Sequence, residues 1–349
     1  MVKVLVTGGA GYIGSHVVHS LIKSNYDVVI IDNLVSGNLD VVKNVLKVPI
    51  IIGEISNSNL IESILNGSHP LCEGKKIEAV MHFAGFTSSE ESVKDPQKYY
   101  ENNLSEALIL LNSILNEQKR RINQNRSRIP FLFSSSCSTY GIPSRLPIKE
   151  EDPQFPINAY GKSKLMFEYI LDDFWKAYNI PSVIFRYFNA AGANLDGNIG
   201  EKRCSETHII PLLFAASNNK ASFFKIFGDD YPTPDGTCIR DYIHVVDIAD
   251  AHVKGLKKIL RDGGKHTYNL GTGKGFSVRE IISEVELIIS KSINIKTFKR
   301  REGDIPVLIA SAEKARKELN WIPKYSDLRT IINSAYKWHQ KSQLKNFLN

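Results

Sequence analysis

Short apolar runs alternate along the chain with longer stretches in which apolar residues return every three or four positions. Val2 to Thr7 is the first run, and Gly8-Gly9-Ala10-Gly11-Tyr12-Ile13-Gly14 leads from it into Ile13, Val17, Leu21 and Ile22 at helical spacing. That predicts a strand, a glycine-rich turn and a helix. Val28 to Ile31 predicts a second buried strand ending at Asp32, with further strands over Val48 to Ile52, Ile77 to Phe83, Ile129 to Ser134 and Ser182 to Phe188. Helical stretches separate them, notably Asp95 to Asn116 and Asn158 to Tyr178. Strands that are apolar throughout, rather than at alternate positions, belong to a sheet covered on both faces. With helices between them they predict an α/β fold built on a doubly wound parallel sheet. No internal repeat interrupts it.

Beyond residue 188 the pattern breaks into short apolar segments among Gly, Pro and charged residues. The expected division is a first lobe over 1–188, joined by part of 229–262, and a smaller mixed α/β substrate lobe over 189–349. A length of 349 residues agrees, since a single core stops growing at roughly 250 to 300. In an open parallel sheet, ligands bind at the carboxyl ends of the strands, so the site is expected there, facing the second lobe.

Composition narrows the function classes. With 42% apolar and 23% charged residues the chain is an ordinary globular one, and its longest apolar runs fall far short of the ~20 residues of a membrane helix. Strand-like sequence begins at Val2 with no signal-peptide pattern, which predicts a cytoplasmic protein. Cys72, Cys137, Cys204 and Cys238 lie far apart in no ligand spacing, so free thiols and no metal are expected. The net charge of +7 includes a crowded set, Lys119, Arg120, Arg121, Arg126 and Arg128. Interleaved Asn, Gln and Ser, and no aromatics for base stacking, make this set a solvated loop rather than a nucleic-acid site. A second set, Lys296, Lys299, Arg300 and Arg301, suits a small phosphate-bearing ligand.

Two constellations carry chemistry. Gly8, Gly11 and Gly14 follow a strand and open a helix, and Asp32 stands 18 residues beyond Gly14 at the end of the next strand. This is the context of a Rossmann-type dinucleotide site, in which backbone amides approach a pyrophosphate at a helix N-terminus. Asp32 accepts from a ribose hydroxyl and repels a 2′-phosphate, and no Lys or Arg follows before Lys43, so NAD is expected over NADP. The second is Tyr160 and Lys164, four residues apart on one helix face and preceded by the strand-end serine Ser136. A tyrosine of pKa near 10 is a poor base at neutral pH. Lys164, with the positive ring of an oxidised nicotinamide, is expected to favour the phenolate.

The strings Val4 to His16 (VLVTGGAGYIGSH), Asp32-Asn33-Leu34, His82 to Gly85 (HFAG), Phe133 to Gly141 (FSSSCSTYG) and Tyr160 to Met166 (YGKSKLM) resemble the extended short-chain dehydrogenase/reductase family. Arg186 to Asn189 (RYFN), Ile226 to Thr233 (IFGDDYPT), Asp235 to Val245 (DGTCIRDYIHV), Tyr268 to Gly271 (YNLG) and Arg300 to Pro306 (RREGDIP) narrow the resemblance to that family's nucleotide-sugar 4-epimerases.

The resemblance implies roles residue by residue. Gly8, Gly11, Tyr12, Ile13 and Gly14 would hold the NAD pyrophosphate, and Asp32, Asn33, Leu34, Val35, Ser36 and Gly37 the adenosine. Glu54 and Ile55 would meet the adenine edge, with Phe83, Ala84, Gly85, Phe86, Thr87 and Asn102 continuing the groove. Ser136, Tyr160 and Lys164 would form the catalytic group beside Phe188. Asn189, His208, Ile209, Ile226, Phe227, Arg240, Arg301 and Asp304 would hold the UDP part, with Leu308 against the far side of the sugar. Three positions depart from the family pattern: Glu54 replaces Asp, Thr87 a common Lys, and His208 a usual Asn. The stretches Asn66 to Lys76 and Gln118 to Arg128 read as loop insertions.

The implied reaction interconverts UDP-galactose and UDP-glucose, in galactose metabolism, through transient oxidation at sugar C4. The implied assembly is a homodimer through paired first-lobe helices, Asp95 to Asn116 and Asn158 to Tyr178. Three readings compete: another nucleotide-sugar 4-epimerase, a 4,6-dehydratase, and a non-catalytic NAD sensor. The dehydratase needs an acid and a base after the strand serine, where Cys137, Ser138 and Thr139 stand. A sensor has no chemical need for Ser136, Tyr160 and Lys164 together.

Overall fold

The structure is a computed structural model that describes residues 1–203, 206–218, 222–301 and 304–348. Its centre is a seven-stranded, wholly parallel sheet. The strands are β1 (Lys3–Thr7), β2 (Asp27–Asp32), β3 (Ile50–Ile52), β4 (Ala79–His82), β5 (Phe131–Ser136), β6 (Ser182–Tyr187) and Lys265–Leu270. In space they run Lys265–Leu270, β6, β5, β4, β1, β2, β3. The order reverses between β1 and β4, where Thr7 pairs with His82, and this switch point opens the crevice that ligands use.

The predicted strands all form, with ends shifted by one or two residues, because the central ones bury both faces; the edge strand β3 leaves Ile52 exposed. One face packs Val4, Val6, Val28 and Ile30 against Val17, Val18 and Leu21 of α1 (Tyr12–Lys23). The other packs Leu5, Val29, Val80 and Phe133 against Leu110, Ile114 and Phe167 of the Ala107–Ile122 and Ala159–Tyr178 helices. The helix Val245–Asp262 lies against α1, and the next strand, Lys265–Leu270, pairs with β6. The return to the first lobe therefore extends past 262 to Leu270. It goes further with Ala315, Leu319 and Trp321, which close the same core.

The second lobe has its own core. Ile210, Leu213 and Phe214 of the Ile209–Ser217 helix meet Ile281, Ile282 and Val285 of Val278–Ile289 and Ile331 and Ile332 of Leu328–Leu348. Short strand pairs complete it: Phe224–Phe227 beside Ile295–Phe298, and Ile239–Arg240 between Phe276–Ser277 and Val307–Leu308.

The basic stretch is not a solvated loop. The Ala107–Ile122 helix runs through its first half, placing Gln118 and Arg121 on the same inward face as Ile114. Arg121 is fully buried; it pairs with Glu78 (2.9 Å) and Glu117 (3.7 Å) and donates to the Ile77 and Ser127 carbonyls. Arg120 pairs with Glu62 (2.9 Å) and Arg126 with Glu78 (2.7 Å). Acidic neighbours distant in sequence neutralise charges that look free in one dimension. The stretch from Asn66 is likewise anchored, by a turn over Pro70–Cys72 that buries Cys72. Cys72, Cys137 and Cys238 are buried free thiols, and Cys204 lies outside the described residues. No helix among the described residues is long and apolar enough to cross a membrane.

Candidate active site

A cleft of ≈ 1250 Å³ runs along the carboxyl ends of the sheet, between the two lobes. Its first wall is made of backbone. Gly8 takes a positive φ of 68°, and a Cβ there would stand 2.5 Å from the Ala84 amide nitrogen. A Cβ on Gly14 would stand 2.2 Å from the Gly8 carbonyl. The turn therefore packs directly on the loop after β4, and only glycine permits it. Gly11 caps α1 without a side-chain bond, so the first-turn amides face the cleft with no internal acceptor. This cradle fits a pyrophosphate.

Asp32 closes the turn from below. Its carboxylate accepts from the Ala10 amide (2.9 Å) and the Leu34 amide (2.9 Å), tying the glycine turn to the loop after β2. Burial pushes its carboxyl up, against those two bonds, and Glu54 adds to the rise. The adenosine end is acidic, with Asp32, Glu54 and Glu106 on the wall and Asn33 donating to Glu54 (3.1 Å). That suits an unphosphorylated ribose. Asn102 donates to Glu106 (3.1 Å).

Tyr160 and Ser136 meet where the walls join. Asn158 caps the Tyr160 helix by accepting from the Gly161 amide (2.8 Å). Burial drives the Tyr160 phenol up to about 12; the opposing pulls are the hydrogen bond from Ser136 and the charge of Arg203. Lys164 is not one of them. Its Nζ donates to the Ser134 carbonyl (3.0 Å), lies 5.9 Å from the Tyr160 ring centre, and is itself pushed down to about 8 by burial. At about 8 its ammonium stays mostly charged at neutral pH, with one donor held by the Ser134 carbonyl.

The second wall is made of side chains. Asn189, His208, Ile209, Ile226, Phe227, Arg240, Arg301 and Asp304 all line it. Arg301 stacks on Phe227, 4.0 Å from the ring centre, and Arg240 donates to the Ile239 carbonyl (2.9 Å). Of the second basic set only Arg301 faces the cleft; Arg300 pairs with Asp230 (2.7 Å) and Lys296 lies over Phe223. Glu201 accepts from both His208 Nδ1 (2.7 Å) and Arg203 Nε (2.7 Å), which hold its carboxyl below the usual range despite burial. Glu201, Glu206 and His208 have metal-ligand spacing. The Glu201 oxygen is already engaged, however, and Glu206 accepts the Thr207 and His208 amides.

Four named residues lie off the cleft wall. Lys164 sits behind Tyr160, Leu34 packs on the first core, and Gly37 presses on Asp32 and Ala10. Leu308 is buried in a small cluster with Phe188, Cys137 and Tyr140, so it backs the wall rather than forming it.

Sequence reading missed Asn103, Glu201, Arg203 and the role of Arg186. Asn103 clamps the Phe86 backbone in both directions (2.8 and 3.0 Å) and reaches Ser163 (3.3 Å) under the Tyr160 helix. Arg186 of the RYFN string is structural: it forms a buried pair with Glu168 (2.6 Å) and donates to Tyr140 (2.7 Å). Asp241 of RDYIHV accepts from Thr272, Gly273 and Ala310 amides, joining strands of both lobes. No local pattern marks these partners; Asp241 and Ala310, for example, lie 69 residues apart.

The chain matches the family model described as GDP-mannose 4,6 dehydratase over residues 5–333. It is 42% identical to the UDP-glucose 4-epimerase of Rhizobium leguminosarum bv. trifolii over 339 residues, covering 97% of this chain and 98% of that one. Two similar solved structures are UDP-glucose 4-epimerases. That from Brucella ovis, in complex with NAD, has a TM-score of 0.86 at 40% identity and covers 97% of this chain and 98% of its own. That from Bifidobacterium longum, with NAD+ and UDP, has a TM-score of 0.87 at 36% identity, covering 98% and 99%. The dehydratase description belongs to the broad model; the turn Cys137–Thr139 after Ser136 carries no carboxyl.

Proposed function

Since the chain belongs to the UDP-glucose 4-epimerase family of extended short-chain dehydrogenases/reductases, we propose that it interconverts UDP-galactose and UDP-glucose with bound NAD. The observation that carries this is the meeting of Tyr160 and Ser136 at the junction of a backbone-built dinucleotide cradle and a cationic second wall. The cleft exceeds the ~300 to 1,000 Å³ usual for one small ligand, as two ligands sharing it require.

In this reading the glycine turn and Asp32 hold NAD, which supplies a hydride acceptor and donor at sugar C4. Tyr160 takes the proton of the 4-hydroxyl, directly or through Ser136, and returns it to the product. Its phenol lies too high to ionise freely at neutral pH, so the base works when positive charge is beside it. Lys164 fixes the helix to the end of β5 and sets the Tyr160 position. Arg240 and Arg301 meet the diphosphate as charge-assisted donors, while the hexose, gripped by few polar groups, is free to turn its other face. The test is incubation of the purified protein with UDP-galactose and chromatography of the products. UDP-glucose is expected; unchanged substrate would overturn the assignment.

The reading extends to a cytoplasmic homodimer in galactose metabolism. Support comes from the buried free thiols and from Met166 and Tyr169, exposed three residues apart on the outer face of the Ala159–Tyr178 helix. Sedimentation of the purified chain tests the dimer.

A further inference from the structure

The wall that would receive the dinucleotide has a charge problem. A pyrophosphate brings two negative charges to a surface carrying Asp32, Glu54 and Glu106. Among its described lining residues, from Gly8 to Tyr187, there is no Lys or Arg. The helix N-terminus offers only about half a positive charge. Lys164, a buried cation of that lobe, donates to the Ser134 carbonyl and is not among the lining residues.

One cation crosses from the other lobe. Arg203 Nη1 donates to the hydroxyl of Thr87 (3.3 Å), on the loop against which the glycine turn packs. Its Nε is held by Glu201 (2.7 Å), which is nearly inaccessible and also grips His208, so the guanidinium is oriented from behind. Arg240 and Arg301 make their hydrogen-bond and stacking contacts within their own lobe, although their charges are felt at Cys137 and Glu90. The charge of Arg203 reaches both Tyr12, in the first turn of α1, and Tyr160, lowering the pKa of each against burial. Its place is thus between the pyrophosphate cradle and the catalytic phenol. Tyr12 makes a second crossing beside it, donating to the Gly192 carbonyl (2.6 Å).

We propose that Arg203, reaching across from the second lobe, is the cation that neutralises the dinucleotide pyrophosphate, and that this contact couples cofactor retention to closure of the two lobes. Thr87 would be its landing point and the position from which a first-lobe cation could replace it. The proposal rests on the reading of this cleft as an NAD site, and the experiment separates the two. Equilibrium dialysis with radiolabelled NAD, and calorimetry with UDP, are run on the full-length wild type, Arg203→Gln, Arg203→Lys and the double variant Arg203→Gln/Thr87→Lys. Loss of one charge-assisted contact weakens binding by about 10- to 100-fold. NAD affinity of Arg203→Gln should fall by that factor while UDP affinity stays within about threefold, which also shows the variant to be folded. Arg203→Lys should keep most of the affinity, and Thr87→Lys should restore it in the Arg203→Gln background. Three results would overturn the proposal: Arg203→Gln holding NAD as tightly as wild type, Arg203→Gln losing UDP instead, or an NAD loss that Thr87→Lys does not repair. A wild-type chain that takes up no NAD would sink the NAD reading itself.

Discussion

In the proposed reading, the two walls of the cleft solve the same problem, holding a diphosphate, by different means. The first-lobe wall presents main-chain amides at a helix N-terminus, through a turn so tight that Gly8 and Gly14 leave no room for a Cβ. The second-lobe wall presents guanidinium groups: Arg240 on a two-residue strand and Arg301 on a loop stacked against Phe227. A backbone site is rigid, and suits a cofactor that stays bound through the cycle. A side-chain site is charged, and suits a substrate that must leave. Tyr160 stands where the two meet, so the strongest test leaves both walls intact. Tyr160→Phe removes the proton acceptor and little volume; kcat should drop by at least about 10² to 10⁴ while NAD and UDP affinities hold. Activity within a few-fold of wild type would dismiss Tyr160 as the base.

The difference between the walls also decides what could be read in advance. The glycine turn, its strand and Asp32 lie within one βαβ unit, so local spacing announces them. Six of the seven strands follow the same logic, since continuous apolar runs need no knowledge of their neighbours; the seventh, Lys265–Leu270, mixes polar with apolar residues and no run announces it. The second wall draws on residues from Asn189 to Asp304, and only resemblance brings them together. Arg203 and Glu201 escaped even that, because nothing in a Glu-Lys-Arg sequence tells a solvated charge from one aimed across a cleft. The basic stretch failed in the opposite sense: Arg121 looked free, and it is the most enclosed arginine of the first lobe, held by Glu78 and Glu117. Charge partners are a three-dimensional property. Spacing places Tyr160 and Lys164 on one helix face but does not announce the Ser134 carbonyl that the Lys164 ammonium meets.

If the second wall works through charge, Arg301→Ala should act on substrate and not on cofactor. One charge-assisted contact removed raises KM for UDP-galactose by about 10- to 100-fold. NAD content should be unchanged, because Arg301 makes its contact within the second lobe. Kinetics at saturating and limiting UDP-galactose separate the two effects. An equal fall in NAD content would erase the division of labour between the walls.

Asp32 is the exception that sharpens the first wall, a side chain doing its work through backbone. Asp32→Ala frees the Ala10 and Leu34 amides and removes the charge facing the adenosine ribose. NAD should bind about 10-fold more weakly, the worth of one hydrogen bond to a charged group, with discrimination against NADP lessened in parallel. Dialysis against each cofactor measures both. A wild-type chain that prefers NADP would contradict the acidic character of that end of the cleft.

The smallest effect is expected behind the sugar, where the comparison of walls is weakest because no wall residue is obviously selective. Leu308 was expected to face the hexose. It packs instead in the cluster beneath Phe188, which does line the cleft. Removing its side chain leaves a space that Phe188 can relax into, so any gain in room reaches the sugar only indirectly. Leu308→Ala should cost about 2 to 5 kcal/mol of stability, as buried Leu-to-Ala changes do. Indirect widening should raise the kcat/KM ratio of UDP-N-acetylgalactosamine to UDP-galactose by only about threefold, under 1 kcal/mol in the transition state. The wild type should favour the plain hexose, since overpacking a closed site with an acetamido group costs roughly 1 to 3 kcal/mol. Thermal unfolding and paired kinetics on the two substrates give both numbers from one preparation. A lowered Tm with an unchanged ratio would make Leu308 a packing residue with no part in selectivity.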